Sequence, residues 1–277
     1  MPELPEVTTI VNDINQRLVG RRIDEAKITS LGENLRIKSR QDLDQMLTGK
    51  KIERAVRRAK YLIIELSNGN SLIIHLKLTG QLLLRGKDAR ADEFTRFVLN
   101  LDDGRQVRFC DRNGAAEAFI VHDSKEVEKN LGPEPFEIKA ERFNLSINRS
   151  DKKTIKETIV NQKTIAGVGN IYADEALFLA KINPFRAPKL VTEEEAQNLL
   201  DSIKEVLTSS IKHRGTTIDS YRDLLGNPGT NQNYLQVYGK NGKPCPTCKT
   251  AIEYTEIGGR RTHYCKSCQR EAQLSLF

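Results

Sequence analysis

YLIIELSNGNSLIIH, residues 61–75, decides the reading of the first half of this 277-residue chain. Two apolar runs flank Ser67-Asn68-Gly69-Asn70, a cluster of residues that tolerate tight-turn backbone, so the stretch predicts an antiparallel hairpin. The pattern returns at Asp102-Asp103-Gly104-Arg105, and from about residue 22 to 120 the chain consists of short β-branched and aliphatic runs cut by turn signals. Repeated hairpins of this kind predict an antiparallel sandwich or barrel. Upstream, Val7, Ile10, Val11, Ile14 and Leu18 fall at helical spacing and predict an amphipathic helix from about Pro5. Downstream, Gly132-Pro133-Glu134-Pro135 can continue neither a helix nor a central strand and reads as an interdomain linker.

Beyond the linker the period turns helical. Thr192 and Glu195 have capping-box spacing ahead of Ala196, Leu199, Leu200, Ile203, Val206, Leu207 and Ile211. Gly226, Pro228, Gly229, Gly239 and Gly242 then predict a mobile loop leading to a cysteine-rich end. The expectation is an α+β protein: residues 1–122 as a helix plus β-sandwich, 123–136 as linker, 137–225 helical, and 226–277 as loop and metal finger.

At 38% hydrophobic and 29% charged, the composition is that of a globular protein and excludes collagen-like, mucin-like and coiled-coil classes. No apolar run reaches the roughly 18 to 20 residues needed to cross a bilayer, and Glu3, Glu6 and Asp13 interrupt any signal-peptide pattern. A cytoplasmic protein with no membrane partner is the expectation. The formal charge of +7 and pI near 9.1 favour a polyanionic partner. Seven basic and three acidic residues lie between Gly239 and Phe277, so more than half of the net charge sits there.

That segment also holds Cys245-x2-Cys248 and Cys265-x2-Cys268, two knuckles that bring four thiolates around one Zn²⁺. With all four positions filled by protein no water site remains open, so the metal is structural. Gly258-Gly259-Arg260-Arg261-Thr262 between the knuckles reads as a hairpin tip offering guanidinium groups to phosphate. A zinc ribbon used for protein contacts is the alternative. Gly167-Val168-Gly169-Asn170 places two glycines before Asn170 as a helix N-cap, where free N–H groups and the helix dipole suit an anion, although glycines there also serve tight turns.

At the start, Met1-Pro2-Glu3-Leu4-Pro5-Glu6 offers a different chemistry. Removal of Met1 exposes a secondary amine at Pro2 with an ordinary pKa of about 8, substantially neutral at physiological pH. Such an amine attacks a carbonyl-like carbon and forms an iminium. The dipole of the following helix disfavours its cationic form, and Glu3 is placed to carry protons. The alternative is a solvated leader. Arg54, Arg57, Arg58 and Lys60 cluster where a strand begins, and Lys60 could reach a phosphate. His75, His122, His213 and His263 are too scattered to suggest a metal site or triad, and Cys110 reads as a core thiol.

Together these pieces resemble the formamidopyrimidine-DNA glycosylase family, related to endonuclease VIII. The resemblance runs the whole length in order: the PELPEV start, Arg57-Arg58-Ala59-Lys60-Tyr61-Leu62, His75-Leu76, Leu131 to Pro135, Gly167 to Tyr172, Leu235 to Gly239, and the four cysteines. It implies a helix-two-turn-helix in the second domain, DNA in the cleft between domains, a monomer, and Zn²⁺ as the one cofactor. By the same resemblance Pro2 attacks C1′ of a damaged nucleotide flipped from double-stranded DNA, Glu3 shuttles protons, and Glu6 holds the site in shape. Successive β- and δ-eliminations then cut the strand. Lys60, counted with the catalytic group, grips phosphate with His75, Asn170 and Arg260, Tyr238 joins the DNA-binding set, and residues 217 to 233 close over the flipped base. Base excision repair at the nucleoid follows.

The chain departs from the family where the base stack is probed. Leu78 stands in place of Met, while Asn113 and Ala115 stand where Arg and Phe are expected, unless a one-residue slip gives Arg112 that role. The expectation is that lyase chemistry at abasic sites survives while excision of 8-oxoguanine is weakened or redirected. Two other readings stand beside it: a preference for oxidised pyrimidines or single strands, and a non-catalytic damaged-DNA-binding zinc-finger protein.

Overall fold

The computed structural model describes residues 1–32 and 45–270. The chain divides into two compact units, Met1–Lys129 with Ser210–Gln232, and Asn130–Ser209 with Asn233–Phe277.

The first unit opens with α1, Leu4–Arg17. Its predicted stripe is buried throughout: Val7, Ile10, Val11, Ile14 and Leu18 all lie in the core. Among the described residues eight strands follow: β1 Ile23–Ile28, β2 Ile52–Arg58, β3 Tyr61–Leu66, β4 Ser71–His75, β5 Gly80–Gly86, β6 Thr95–Leu101, β7 Arg105–Asp111 and β8 Glu117–Val121. They form two antiparallel four-stranded sheets, ordered β1-β6-β7-β5 and β2-β3-β4-β8. Both turn-former clusters close hairpins as expected, with Leu66 followed by Asn70 across one and Leu101 by Arg105 across the other.

One apolar cluster joins α1 to both sheets, with Leu62, Ile64, Leu72 and Ile74 from one and Leu82, Phe97, Leu99 and Phe109 from the other, as in a sandwich. Side chains alternate along a strand, so Ile63 and Ile73 face away, and a second cluster with Val121 covers them. Arg54, Arg57 and Arg58 lie on β2 itself rather than ahead of a strand, and Arg54 is bidentate to Glu65 on β3 at 2.6 and 3.0 Å. Cys110 is buried, and burial raises its pKa.

In the second unit, α2 Ala140–Asn148, α3 Ile155–Val160, α4 Asn170–Leu179 and α5 Glu193–Lys212 precede a hairpin of β9 Glu253–Ile257 and β10 Arg260–Tyr264. The last residues of α5 are counted with the first unit. The capping box forms: Thr192 N donates to Glu195 at 3.0 Å and Glu195 N to Thr192 Oγ1 at 3.2 Å. The Gly132–Pro135 stretch is docked rather than free. Gly132 N donates to the Gln162 carbonyl at 2.7 Å, Ala166 N to the Pro133 carbonyl at 2.9 Å, and a β-carbon at Gly132 would lie 2.4 Å from the Lys163 carbonyl oxygen. Glycine is needed there for close approach, not for flexibility. The Gly226–Gly242 stretch is likewise pinned, by Asn231 N to the Gly215 carbonyl in the first unit and by Glu175 in the second.

Candidate active site

Within the first unit, Glu3 is the N-cap of α1 and shares a capping box with Glu6; Glu3 N donates to Glu6 Oε2 at 2.7 Å. Pro2, Glu3 and Glu6 are all buried, the two acids to 2% and 1% exposure. Carboxylates survive burial here because they face the positive end of a helix and accept its orphan N–H groups. Glu6 Oε1 accepts Thr216 N at 2.7 Å, a contact spanning 210 residues. Gly215 makes it possible: its φ of +86° is left-handed, and a β-carbon would lie 2.9 Å from Glu6 Oε1. Tyr221 donates its hydroxyl to the Arg214 carbonyl at 3.0 Å, and burial and then Glu6 raise its pKa well above the ordinary value, so it stays a phenol. Arg214 bridges Asp13 at 2.7 Å and Asp223 at 2.6 Å. The loop after α5 is thus braced against the first helix of the chain, next to the residue that would carry the amine.

A second group gathers where β2 turns into β3 and β4 ends. Lys60 is buried, 5% exposed, and Tyr61 pairs in register with His75, their rings edge-to-face at 4.7 Å. His75 Nδ1 accepts Lys77 N at 3.1 Å, which leaves Nε2 as the donor. Burial, then Lys77, then Lys60 pull its pKa down to about 3, so the ring is neutral. A neutral N–H beside a lysine offers an anion one hydrogen bond and one charge.

The third group surrounds the stack-probing positions. Leu78 is 55% exposed on the turn between β4 and β5, and Asn113 and Ala115 are exposed on the turn after β7. Asp111 joins the two turns by accepting Thr79 Oγ1 at 2.5 Å and Ala116 N at 2.9 Å. Arg96 adds two bonds to the Asp111 carbonyl at 3.0 and 2.7 Å. Arg112 pairs with Asp219 at 3.1 Å.

In the second unit the N-cap of α4 is Gly169, extended at φ −126°, and Asn170 is the first helical residue, a correction to the expected cap. The Asn170 amide is used elsewhere, donating to the Arg261 carbonyl at 2.7 Å. Beneath it lies a buried network that sequence reasoning missed. Lys156 Nζ donates to the Asn170 carbonyl at 3.0 Å and pairs with Asp174. Asp174 Oδ2 also accepts His263 N at 2.9 Å and lies 3.2 Å from His263 Nδ1. Glu175 accepts the backbone N–H groups of Gln236, Val237 and Tyr238 at 2.8, 2.9 and 2.8 Å. Burial raises the Glu175 pKa, and those three bonds oppose the rise. Tyr238 stacks edge-on against His263 at 4.9 Å. Two adjacent acids inside the apolar run Ile171 to Phe178 were the available signal. His263, one of four histidines scattered along the sequence, is part of this network. Arg260 and Arg261, adjacent on β10, point to opposite faces; Arg260 is exposed, while Arg261 lies over Tyr254 at 5.3 Å. Asn170, Tyr238 and Arg260 therefore hang on one framework.

The sulfurs of Cys245, Cys248, Cys265 and Cys268 all lie within 4.8 Å of one another, with 3.8 Å between Cys245 and Cys268 and 3.4 Å between Cys248 and Cys265. A tetrahedron with Zn–S bonds of about 2.3 Å has edges of about 3.8 Å, so the spacing fits one zinc with no open position. Its neighbours Phe178, Val237 and Ile252 form a small core, and the metal's role is structural.

The family descriptions "Formamidopyrimidine-DNA glycosylase N-terminal domain", "Formamidopyrimidine-DNA glycosylase H2TH domain" and "Zinc finger found in FPG and IleRS" match residues 1–117, 131–222 and 242–270. The formamidopyrimidine-DNA glycosylase of Herpetosiphon aurantiacus is 41% identical over 97% of this chain and 100% of its own length. That of Desulforamulus reducens is 38% identical over 98% and 99%. Among solved structures, Lactococcus lactis Fpg bound to DNA containing an abasic site superposes with a TM-score of 0.90 at 34% identity, covering 97% of this chain and 100% of that one. MutM bound to DNA containing carbocyclic 8-oxo-G superposes at 0.89, with 34% identity over 98% and 100%. No described helix is long and apolar enough to cross a membrane.

Proposed function

The chain belongs to the formamidopyrimidine-DNA glycosylase family, and from that membership we propose that it is a base-excision-repair DNA glycosylase with AP lyase activity, acting on oxidised or ring-opened bases in double-stranded DNA. The observation that carries this reading is the buried set of Pro2, Glu3 and Glu6 at the N-terminus of α1. Once Met1 is removed, the Pro2 nitrogen forms a bond to C1′ as the glycosidic bond breaks, and the nitrogen's single proton passes to the departing base. Glu3, in its acid form, protonates the ring oxygen as the bond from C1′ to that oxygen breaks, and the nitrogen lone pair closes an iminium joined to deoxyribose. Loss of a C2′ proton expels the 3′ phosphate, a second elimination expels the 5′ phosphate, and water releases the sugar fragment. Glu6 keeps Glu3 and the 215–216 backbone in place. Lys60, His75, Asn170, Tyr238 and Arg260 hold the DNA backbone.

Leu78, Asn113 and Ala115 favour one refinement. Without a Phe at the wedge, part of a stacking interaction of roughly 1–3 kcal/mol per base is missing. Lesions in opened or weakly paired DNA, and abasic sites, are then processed better than 8-oxoguanine paired to cytosine. A binding-only protein would have no use for a buried Pro2-Glu3 pair.

Borohydride trapping tests both levels. The native protein should crosslink to abasic DNA, the Pro2→Ala variant should not, and intact 8-oxoguanine duplexes should react more slowly than abasic ones. Mass spectrometry showing Met1 retained on active protein would remove Pro2 as the nucleophile.

A further inference from the structure

β5 is an outer strand of the sheet β1-β6-β7-β5, and the chain from Ser220 to Leu225 lies against it. Gln81 donates its amide to the Ser220 carbonyl, Leu84 N donates to the Leu224 carbonyl at 2.7 Å, and Arg85 Nη1 donates to the Leu225 carbonyl at 3.3 Å. The Arg85 guanidinium is fixed in turn. Its Nε lies 3.2 Å and its Nη2 3.1 Å from Asp92, which also accepts from Arg108 Nη1 at 3.0 Å. Arg108 is buried, and it donates further to Gln106 and to the Ala89 and Arg90 carbonyls. With Arg85 and Asp92 only 22% and 21% exposed, their pair escapes much of the screening that weakens surface ion pairs. Gly226 completes the fit: its φ is +91°, and a β-carbon would stand 3.0 Å from Arg85 Nη2, so a side chain there would displace the guanidinium.

The turn that Arg85 grips leads back to the acids at the start of α1. Gly226 N donates to the Asp223 carbonyl at 3.0 Å and Asp223 N to the Asn227 carbonyl at 2.9 Å. Asp223 Oδ1 accepts Leu225 N at 3.0 Å and Asn227 N at 2.8 Å. The other oxygen, Asp223 Oδ2, accepts Arg214 Nε at 3.1 Å and Arg214 Nη2 at 2.6 Å. Two residues beyond Arg214, Thr216 N donates to Glu6. Tyr221 and Leu224 are buried in the core of the same unit, whereas Ile218 between the two anchored ends is exposed. A run of contacts becomes a coupling when a change at one end is felt at the other, and the far end here is the acid that holds Glu3.

We propose that Arg85 is a positioning residue for the Glu3 and Glu6 acids. Its fork spans Asp92 and the Leu225 carbonyl, fixes the 223–227 turn, and through Asp223 and Arg214 sets the backbone N–H of Thr216 against Glu6. It works through other residues rather than on the reacting atoms. This assignment rests on the proposed chemistry at Pro2 and Glu3, and hydrogen exchange tests it with no chemistry required.

In Arg85→Ala, the amides of Leu84, Gly226 and Thr216 should exchange their hydrogens about tenfold faster than in the wild type. Single-turnover excision from a paired lesion should slow by about tenfold, while affinity for a duplex carrying a tetrahydrofuran abasic analogue stays within about twofold. Arg85→Lys keeps a charge beside Asp92 but has no fork to span both acceptors. Its Tm should therefore recover while the rate and the Thr216 exchange stay at the Arg85→Ala values, a split that a merely structural role would not give. Gly226→Ala should slow excision to the same extent, and Arg85→Ala/Gly226→Ala should be no slower than either alone. The assignment is overturned by unchanged Thr216 exchange or an unchanged rate in Arg85→Ala, by weakened binding in place of slowed turnover, by full rescue of the rate in Arg85→Lys, or by additive slowing in the double variant. A wild-type protein that neither excises nor traps, yet whose Thr216 exchange quickens in Arg85→Ala, would instead sink the catalytic reading and leave the coupling standing.

Discussion

Replacing Asp174 by Ala removes the carboxylate that pairs with the buried ammonium group of Lys156. The Lys156 and Asp174 side chains are 1% and 0% exposed, so Lys156 would remain a buried charge without its carboxylate, and its contact to the Asn170 carbonyl carries no compensating charge. Breaking such a pair costs about 3–5 kcal/mol, a large part of a domain's total stability. At about 2–5 °C per kcal/mol, the corresponding transition should fall by roughly 10–20 °C in differential scanning calorimetry. The His263 N–H loses its acceptor in the same variant, so the β9–β10 hairpin should exchange its amide hydrogens faster. The decisive comparison is the double variant Lys156→Met/Asp174→Leu, which removes both charges at similar volume and should recover much of the loss. If Asp174→Ala melts within about 2 °C of wild type, or the double variant is no better than the single one, the network is not what holds the helix and hairpin together.

Gly215→Ala puts a β-carbon 2.9 Å from Glu6 Oε1 at a φ of +86°; a cost of about 1–3 kcal/mol is expected, with faster hydrogen exchange at Thr216. His75 is neutral when folded, with its pKa lowered to about 3, whereas the unfolded chain binds a proton near pH 6.5. Its contribution to stability is therefore complete above pH 6.5 and is lost as pH falls from there toward 3, so a Tm profile should slope in that window and flatten in His75→Gln. Removing the metal with a strong chelator should release one zinc per chain, loosen the β9–β10 hairpin, and reduce the salt dependence of DNA binding by about one unit for each phosphate no longer gripped; an unchanged slope would detach Arg260 from the interface.

Local chemistry made part of the molecule readable in advance. The Ser67–Asn70 and Asp102–Arg105 turns, the stripe from Val7 to Leu18, the Thr192–Glu195 box and the paired Cys knuckles each depend on neighbours a few residues away. What could not be read depends on distance. The Glu6–Thr216 bond, the Lys156–Asp174 pair and the Asp174–His263 contact join residues 210, 18 and 89 positions apart. Asn is favoured at helix caps, yet Gly169 takes that position and the Asn170 amide finds a partner on the hairpin. Phe94 is one apolar letter at the start of a strand, and nothing in its neighbours announces a left-handed backbone.

The first compact unit is stitched from two stretches of chain, Met1–Lys129 and Ser210–Gln232, and Glu6 accepts its Thr216 hydrogen bond from the later one. On the ribosome the 80 residues between them emerge first, an interval of about 4–16 s at ordinary elongation rates. Through that interval the sandwich and its amino-terminal helix are already outside the exit tunnel with the carboxylate still lacking its far partner. The order of synthesis thus keeps the Glu6 end of the first helix unfinished until the helical domain has emerged, a delay written into the connectivity itself.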